Sequence, residues 1–144
     1  MPVLSFSTQN GRKLYDISDE ICEEMLTKAE EAMKYCYPDP HKGFAVAVLT
    51  SQGTIYTGAS YNSTTYTLTM HSEAVALAHA ANHGEIEIVA ITGPNCHICK
   101  QLIWESSIHS GIEIQVIIKE DGKIKKIPVS DLMPYPWPDK DGNI

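Results

Sequence analysis

The sequence is short of basic residues. Eleven Lys and Arg stand against eighteen Asp and Glu, a formal net charge of −7. Nucleic-acid binding draws on clustered Lys and Arg, so DNA and RNA are not expected partners. No apolar run approaches the roughly 20 residues that a bilayer span requires, so no membrane association is expected. The opening residues, Met1-Pro2-Val3-Leu4-Ser5, have neither the basic start nor the apolar stretch of a signal peptide, and a cytoplasmic location is the expectation. Internal repeats, low-complexity tracts and linker-like segments are missing as well. The 144 residues therefore read as one domain with a core over about 18–137. Such a chain buries about two-thirds of its unfolded surface. A hydrophobic share of 43% with 20% charged residues excludes a disordered or collagen-like chain.

Cysteine is sparse: Cys22, Cys36, Cys96 and Cys99. In a cytosolic chain a close pair points to metal or redox work rather than to a disulfide framework. Cys22 and Cys36 fall in or just after a predicted helix and read as packing residues.

The periodicity predicts the order α-ββ-α-β-α-β-β with a short final helix. The first sixteen residues read as a strand-like or loose arm. A helix begins after Ser18, an N-cap followed by acidic residues, with Ile21, Met25, Ala29 and Ala32 on one face. A hairpin over 44–58 follows, with its turn at Ser51-Gln52-Gly53. Helices are expected over about 70–82 and 96–106, and strands over 87–92, 112–118 and 123–127. The stretch Ala74–Ala81 is almost wholly apolar, which predicts a helix buried on most sides. Strands separated by helical crossovers imply an α/β fold, a mixed sheet with helices on its faces.

Two fragments carry chemistry. His71-Ser72-Glu73 stands where a polar loop enters the alanine-rich helix. Cys96-His97-Ile98-Cys99 stands where a post-strand loop enters the next one. Between them lie one helix, one strand and a short loop, a unit that can return the chain beside its start. Cys96 and Cys99 are one helical turn apart, so both sulfurs can face one way, and His71 supplies a nitrogen. Three protein ligands leave a fourth tetrahedral position for water, as in catalytic rather than structural Zn²⁺ sites. Glu73 is then placed as a general acid/base rather than a ligand. Other readings stay open at this point. The cysteines could be a redox pair or half of a structural site. His97 could complete a closed four-ligand site, although neighbouring residues on a helix point in different directions. Glu73 could simply complement a helix N-terminus.

These fragments resemble the H-x-E and C-x-x-C signature of the zinc-dependent deaminases of cytosine and adenine. Over about residues 20–137 the length and element order are similar to the small cytidine deaminases and their relative blasticidin S deaminase. Gly53, Gly58, Cys99-Lys100-Gln101 and Leu132-Met133-Pro134 add to the likeness. The resemblance implies a three-layer α/β/α sandwich around a mixed five-stranded sheet. It implies Zn²⁺ held by His71, Cys96 and Cys99, with hydrolytic attack at C4 of a cytosine ring. Glu73 would carry a proton to N3 and then to the departing amine. The product would be a uracil nucleoside plus ammonia, a step of pyrimidine salvage. Ser60, Asn62, Ser72 and Trp137 would contact substrate, and a homotetramer with active sites near subunit contacts is implied. This chain has Ser60 and Asn62 where nucleoside-specific members carry Asn and Glu to grip the ribose, and Asn95 where Pro usually precedes the first cysteine. A modified cytosine nucleoside such as blasticidin S is therefore an alternative substrate. A non-catalytic zinc-stabilised module is an alternative of another class.

Overall fold

The computed structural model of the chain describes residues 4–144. Residues 1–3 of the expected N-terminal arm lie outside that range. The rest of the arm is a hairpin, β1 (Phe6–Gln9) paired antiparallel with β2 (Arg12–Tyr15). Its turn is Asn10-Gly11, with positive φ at both residues. That dipeptide is a strong local hairpin signal, and of the two expected alternatives, strand-like or loose, the described part of the arm takes the strand-like one.

The first helix, α1 (Asp19–Ala32), starts where the sequence places it. The Ser18 hydroxyl accepts from the Ile21 amide, and Asp19 and Glu20 occupy the first turn. Cys22, Met25, Ala29 and Ala32 form its buried stripe. Then come β3 (Ala45–Thr50) and β4 (Ile55–Ala59), α2 (Ser72–Asn82), β5 (Ile88–Thr92), α3 (His97–Ser110), β6 (Gln115–Glu120) and β7 (Lys123–Pro128), with short 3₁₀ segments at Met33–Tyr35, Tyr66–Leu68 and Val129–Leu132. Helix α3 runs four residues beyond the predicted end and stops at Gly111. There the left-handed φ of 71°, which a side chain would strain, closes the helix.

The five-stranded sheet has the order β4-β3-β5-β6-β7. Only β5 and β6 pair in parallel, joined by α3, and the other neighbours are antiparallel. The sheet is thus mixed, as expected. Every residue of β5 is buried, and all of β3 except its first residue. Both faces of the sheet are therefore covered. Helix α1 packs on β3 and β4, while α2 and α3 touch one another as well as the sheet.

Helix α2 departs from expectation. Ser72, Glu73, Ala76 and Ala80 are buried, but Ala78 and Ala81 are exposed in the single chain. The buried side presses on β4 at Gly58, where a Cβ would collide with the backbone of Ser72 and Ala76. Small residues on both sides allow this close approach, which sets the height of the α2 N-terminus above the sheet.

Candidate metal and catalytic site

The antiparallel pairing of β3 with both β4 and β5 puts the start of β3 and the ends of β4 and β5 on one rim of the sheet. Helices α2 and α3 begin at that rim. His71 is the N-cap of α2 and Cys96 the N-cap of α3, where the Cys96 sulfur accepts from the Cys99 amide at 3.5 Å. Two helix N-termini, each with unsatisfied N–H groups, thus point at the same space and favour negative charge there.

Within that space one donor atom each of His71, Cys96 and Cys99 lies within 4.8 Å of the other two. His71 Nδ1 is 3.2 Å from Cys99 Sγ and 3.5 Å from Cys96 Sγ. Bond lengths of about 2.0–2.1 Å to nitrogen and about 2.3 Å to sulfur separate N and S on a tetrahedron by about 3.5 Å, so the three atoms fit one Zn²⁺. Burial pushes the Cys99 thiol up, and Glu73 and Cys96 beside it push the same way. A cation bound to the three donor atoms would reverse that balance and hold the sulfurs as thiolates. His97 is exposed and is not part of the cluster among the described residues.

Glu73 is 7% exposed, in the first turn of α2. Its Oε1 accepts from the Ser72 hydroxyl and its Oε2 from Asn95 Nδ2, both at 2.8 Å. It lines a cavity of about 410 Å³ together with Phe44, Ala45, Val46, Ser60, Asn62, Thr69, His71, Ser72, Thr92, Gly93, Pro94 and Cys96. That volume suits a small organic ligand. No other acidic side chain, and no Lys or Arg, lines it.

The structure brings His71, Ser72, Glu73, Cys96 and Cys99 together, with Ser60 and Asn62 on the same cavity. The Ser60 hydroxyl is already engaged, accepting from the Phe44 amide at 3.1 Å. Trp137 does not line the cavity. It is 60% exposed, and its carbonyl accepts from Gln101 on α3. Sequence reasoning missed Phe44 and Thr69 as cavity residues and missed the bond from Asn95 to Glu73. Phe44 and Thr69 arrive on loops that carry no chemical motif. Asn95 adjoins Cys96, so its position was a signal although its partner was not.

Comparison with known proteins gives two findings. Residues 19–113 match the family model for the cytidine and deoxycytidylate deaminase zinc-binding region. Solved structures of cytidine deaminases share the fold. That from Burkholderia pseudomallei is 23% identical with a TM-score of 0.65, over 80% of this chain and 98% of that one. That from Mycobacterium tuberculosis is 22% identical with a TM-score of 0.67, over 85% and 98%. That from Bacillus anthracis is 20% identical with a TM-score of 0.61, over 81% and 89%. The matched region is a zinc-binding one and contains the His/Cys/Cys cluster, so the metal is zinc.

Proposed function

The chain belongs to the family of cytidine and deoxycytidylate deaminase zinc-binding domains, and on that premise we propose that it hydrolyses the exocyclic amine of a free cytosine nucleoside, releasing ammonia. The observation that carries this is the cluster of one imidazole nitrogen and two sulfurs beside the Glu73 carboxylate, with His71, Cys96 and Glu73 lining a cavity of about 410 Å³. His71, Cys96 and Cys99 would hold zinc, which when bound supplies a Lewis acid that makes water nucleophilic at neutral pH.

Glu73 does the proton work. One carboxylate oxygen takes a proton from the attacking water, delivers it to ring N3, and a second transfer protonates the amine as it leaves. The half-enclosing apolar wall of Phe44, Ala45, Val46 and Pro94 suits the flat pyrimidine ring and limits its exposure to water.

The lining also bears on the substrate. A nucleotide brings a phosphate, and no Lys or Arg stands ready for it, which favours a nucleoside over a nucleotide. A ribose diol finds no carboxylate besides Glu73, and the Ser60 hydroxyl is engaged by Phe44. The Thr69 hydroxyl is engaged as well, accepting from the Ser63 amide and donating to the Ser63 carbonyl, which leaves the Asn62 side chain for the sugar end. This sparse polar set favours deoxycytidine over cytidine, and it also supports the second reading, a modified cytosine nucleoside such as blasticidin S. We further read the protein as a homotetramer. Exposed Phe44, Tyr61, Tyr66, Leu68 and Met70 on and around the cavity segments support burial against other copies.

A substrate panel tests the proposal. Ammonia release is measured with cytidine, deoxycytidine, cytosine, deoxycytidylate and blasticidin S. Turnover of deoxycytidine well above deoxycytidylate is expected. Deoxycytidylate as the best substrate, or no release from any of the five, contradicts it.

A further inference from the structure

We propose that Asn95 and Ser72 are positioning residues for the deamination, a two-point clamp that fixes the Glu73 carboxylate in the cavity wall. The inference rests on the reading of Glu73 as the proton carrier.

Each Glu73 oxygen holds one donor: the Ser72 hydroxyl on Oε1 and Asn95 Nδ2 on Oε2. Asn95 Nδ2 makes a second bond, to the carbonyl of Thr92 at 3.1 Å. A carboxylate and a carbonyl only accept, so the amide nitrogen must face them and the amide orientation is fixed by chemistry. Both of its hydrogens are thereby used. The other amide atom, Asn95 Oδ1, is buried without any hydrogen-bond partner, the one such side-chain atom among the described residues.

That pattern separates positioning from packing. Asn95 is 8% exposed and Ser72 is 1% exposed. A residue selected to fill buried space gains nothing from an orphaned acceptor. The donor half of Asn95 is therefore the half with a task. It ties a carboxylate on α2 to the last carbonyl of β5, so the proton carrier is held in register with the sheet rather than by its own flexible side chain. A carboxylate has about four acceptor positions. Two are occupied by the clamp, and the others stay available for water and the ring. Proton transfer is sensitive to such placement, since a misplacement of about 1 Å can cost on the order of 10²-fold in rate.

The test uses the zinc-loaded full chain and its best substrate. N95A, N95D and S72A are assayed for kcat, KM and zinc per chain, with E73Q and E73A as references. N95A is expected to lower kcat by roughly 10- to 100-fold with KM changed less than about threefold and zinc content unchanged. N95D, nearly the same shape but with an acceptor facing an acceptor, is expected to fall further. S72A reports on the other oxygen should the Asn95 variants fold poorly. In the E73A background N95A is expected to have less than a twofold further effect on residual turnover, and a smaller effect on the thermal midpoint of the metal-free chain than in wild type. Wild-type kcat in both N95A and S72A, or effects that simply add to those of E73A, overturns the clamp while leaving Glu73 as proton carrier. Full turnover in E73Q overturns the underlying reading and the clamp with it.

Discussion

Glu73 and the three donor atoms are where the account is most exposed to single substitutions. Glu73→Gln keeps the shape but replaces one acceptor oxygen with an NH2 donor, and it cannot carry the proton. Turnover is expected to fall by about 10²- to 10⁴-fold while zinc content stays at one per chain, read by ammonia release beside metal analysis. Cys99→Ala removes a buried ligand, and loss of zinc with a lowered thermal midpoint is the expected result; a chelator should lower the midpoint of the wild type in the same direction. These residues were legible in the sequence because the chemistry needs them at short spacings. H-x-E and C-x-x-C each span one helix start, and the spacing alone dictates which atoms can converge. The clamp on Glu73 was not legible, because the bond from Asn95 depends on the path of a three-residue loop. The engagement of the Ser60 hydroxyl was hidden for a similar reason: its partner, Phe44, lies 16 residues earlier.

Elements set the site through their junctions. The sharpest junction is Gly58 of β4 under the first turns of α2. Gly58→Ala forces a methyl into backbone atoms that cannot swing aside, unlike the end of a side chain. A loss of about 1–3 kcal/mol is expected, measured as a shift in the denaturation midpoint, along with reduced turnover because His71 and Glu73 ride on the displaced helix end. Unchanged stability would mean that α2 does not rest on β4 as described. Most elements were readable from period and caps, as with Ser18 before α1. Two features were legible only in part, for physical reasons. Strand β1 is polar and exposed, so it carries no hydrophobic pattern, and only its Asn10-Gly11 turn announces the hairpin. In α2 the alanines mark close packing at one face, and an alanine-rich face turned to solvent looks the same in sequence.

On the scale of the whole molecule, a buried polar network joins the two ends of the chain to the sheet. Arg12 of β2 pairs with Glu113 at 2.6 Å, with 6% and 0% of the side chains exposed. Glu113 also accepts from the Ser130 amide and hydroxyl. The Arg12 guanidinium lies over the Trp104 ring and donates to the carbonyl of Lys140, while the Trp104 indole N–H donates to the carbonyl of Pro138. Glu113→Ala strands the arginine without its counter-charge, and a loss of about 3–5 kcal/mol is expected in urea unfolding. Such long-range pairing, across 101 residues, leaves no local mark, which is why neither Arg12 nor Glu113 stood out in the sequence.

The central claim is that zinc sits on one nitrogen and two sulfurs with one position left for solvent. X-ray absorption at the zinc edge of the substrate-free protein tests it directly. Two sulfur neighbours at about 2.3 Å and two lighter neighbours at about 2.0–2.1 Å are expected in wild type. In His71→Ala the lighter shell should change while both sulfurs persist, and in His97→Ala the spectrum should stay as it was. A shell altered by His97→Ala, or one with fewer or more than two sulfurs, would contradict the account.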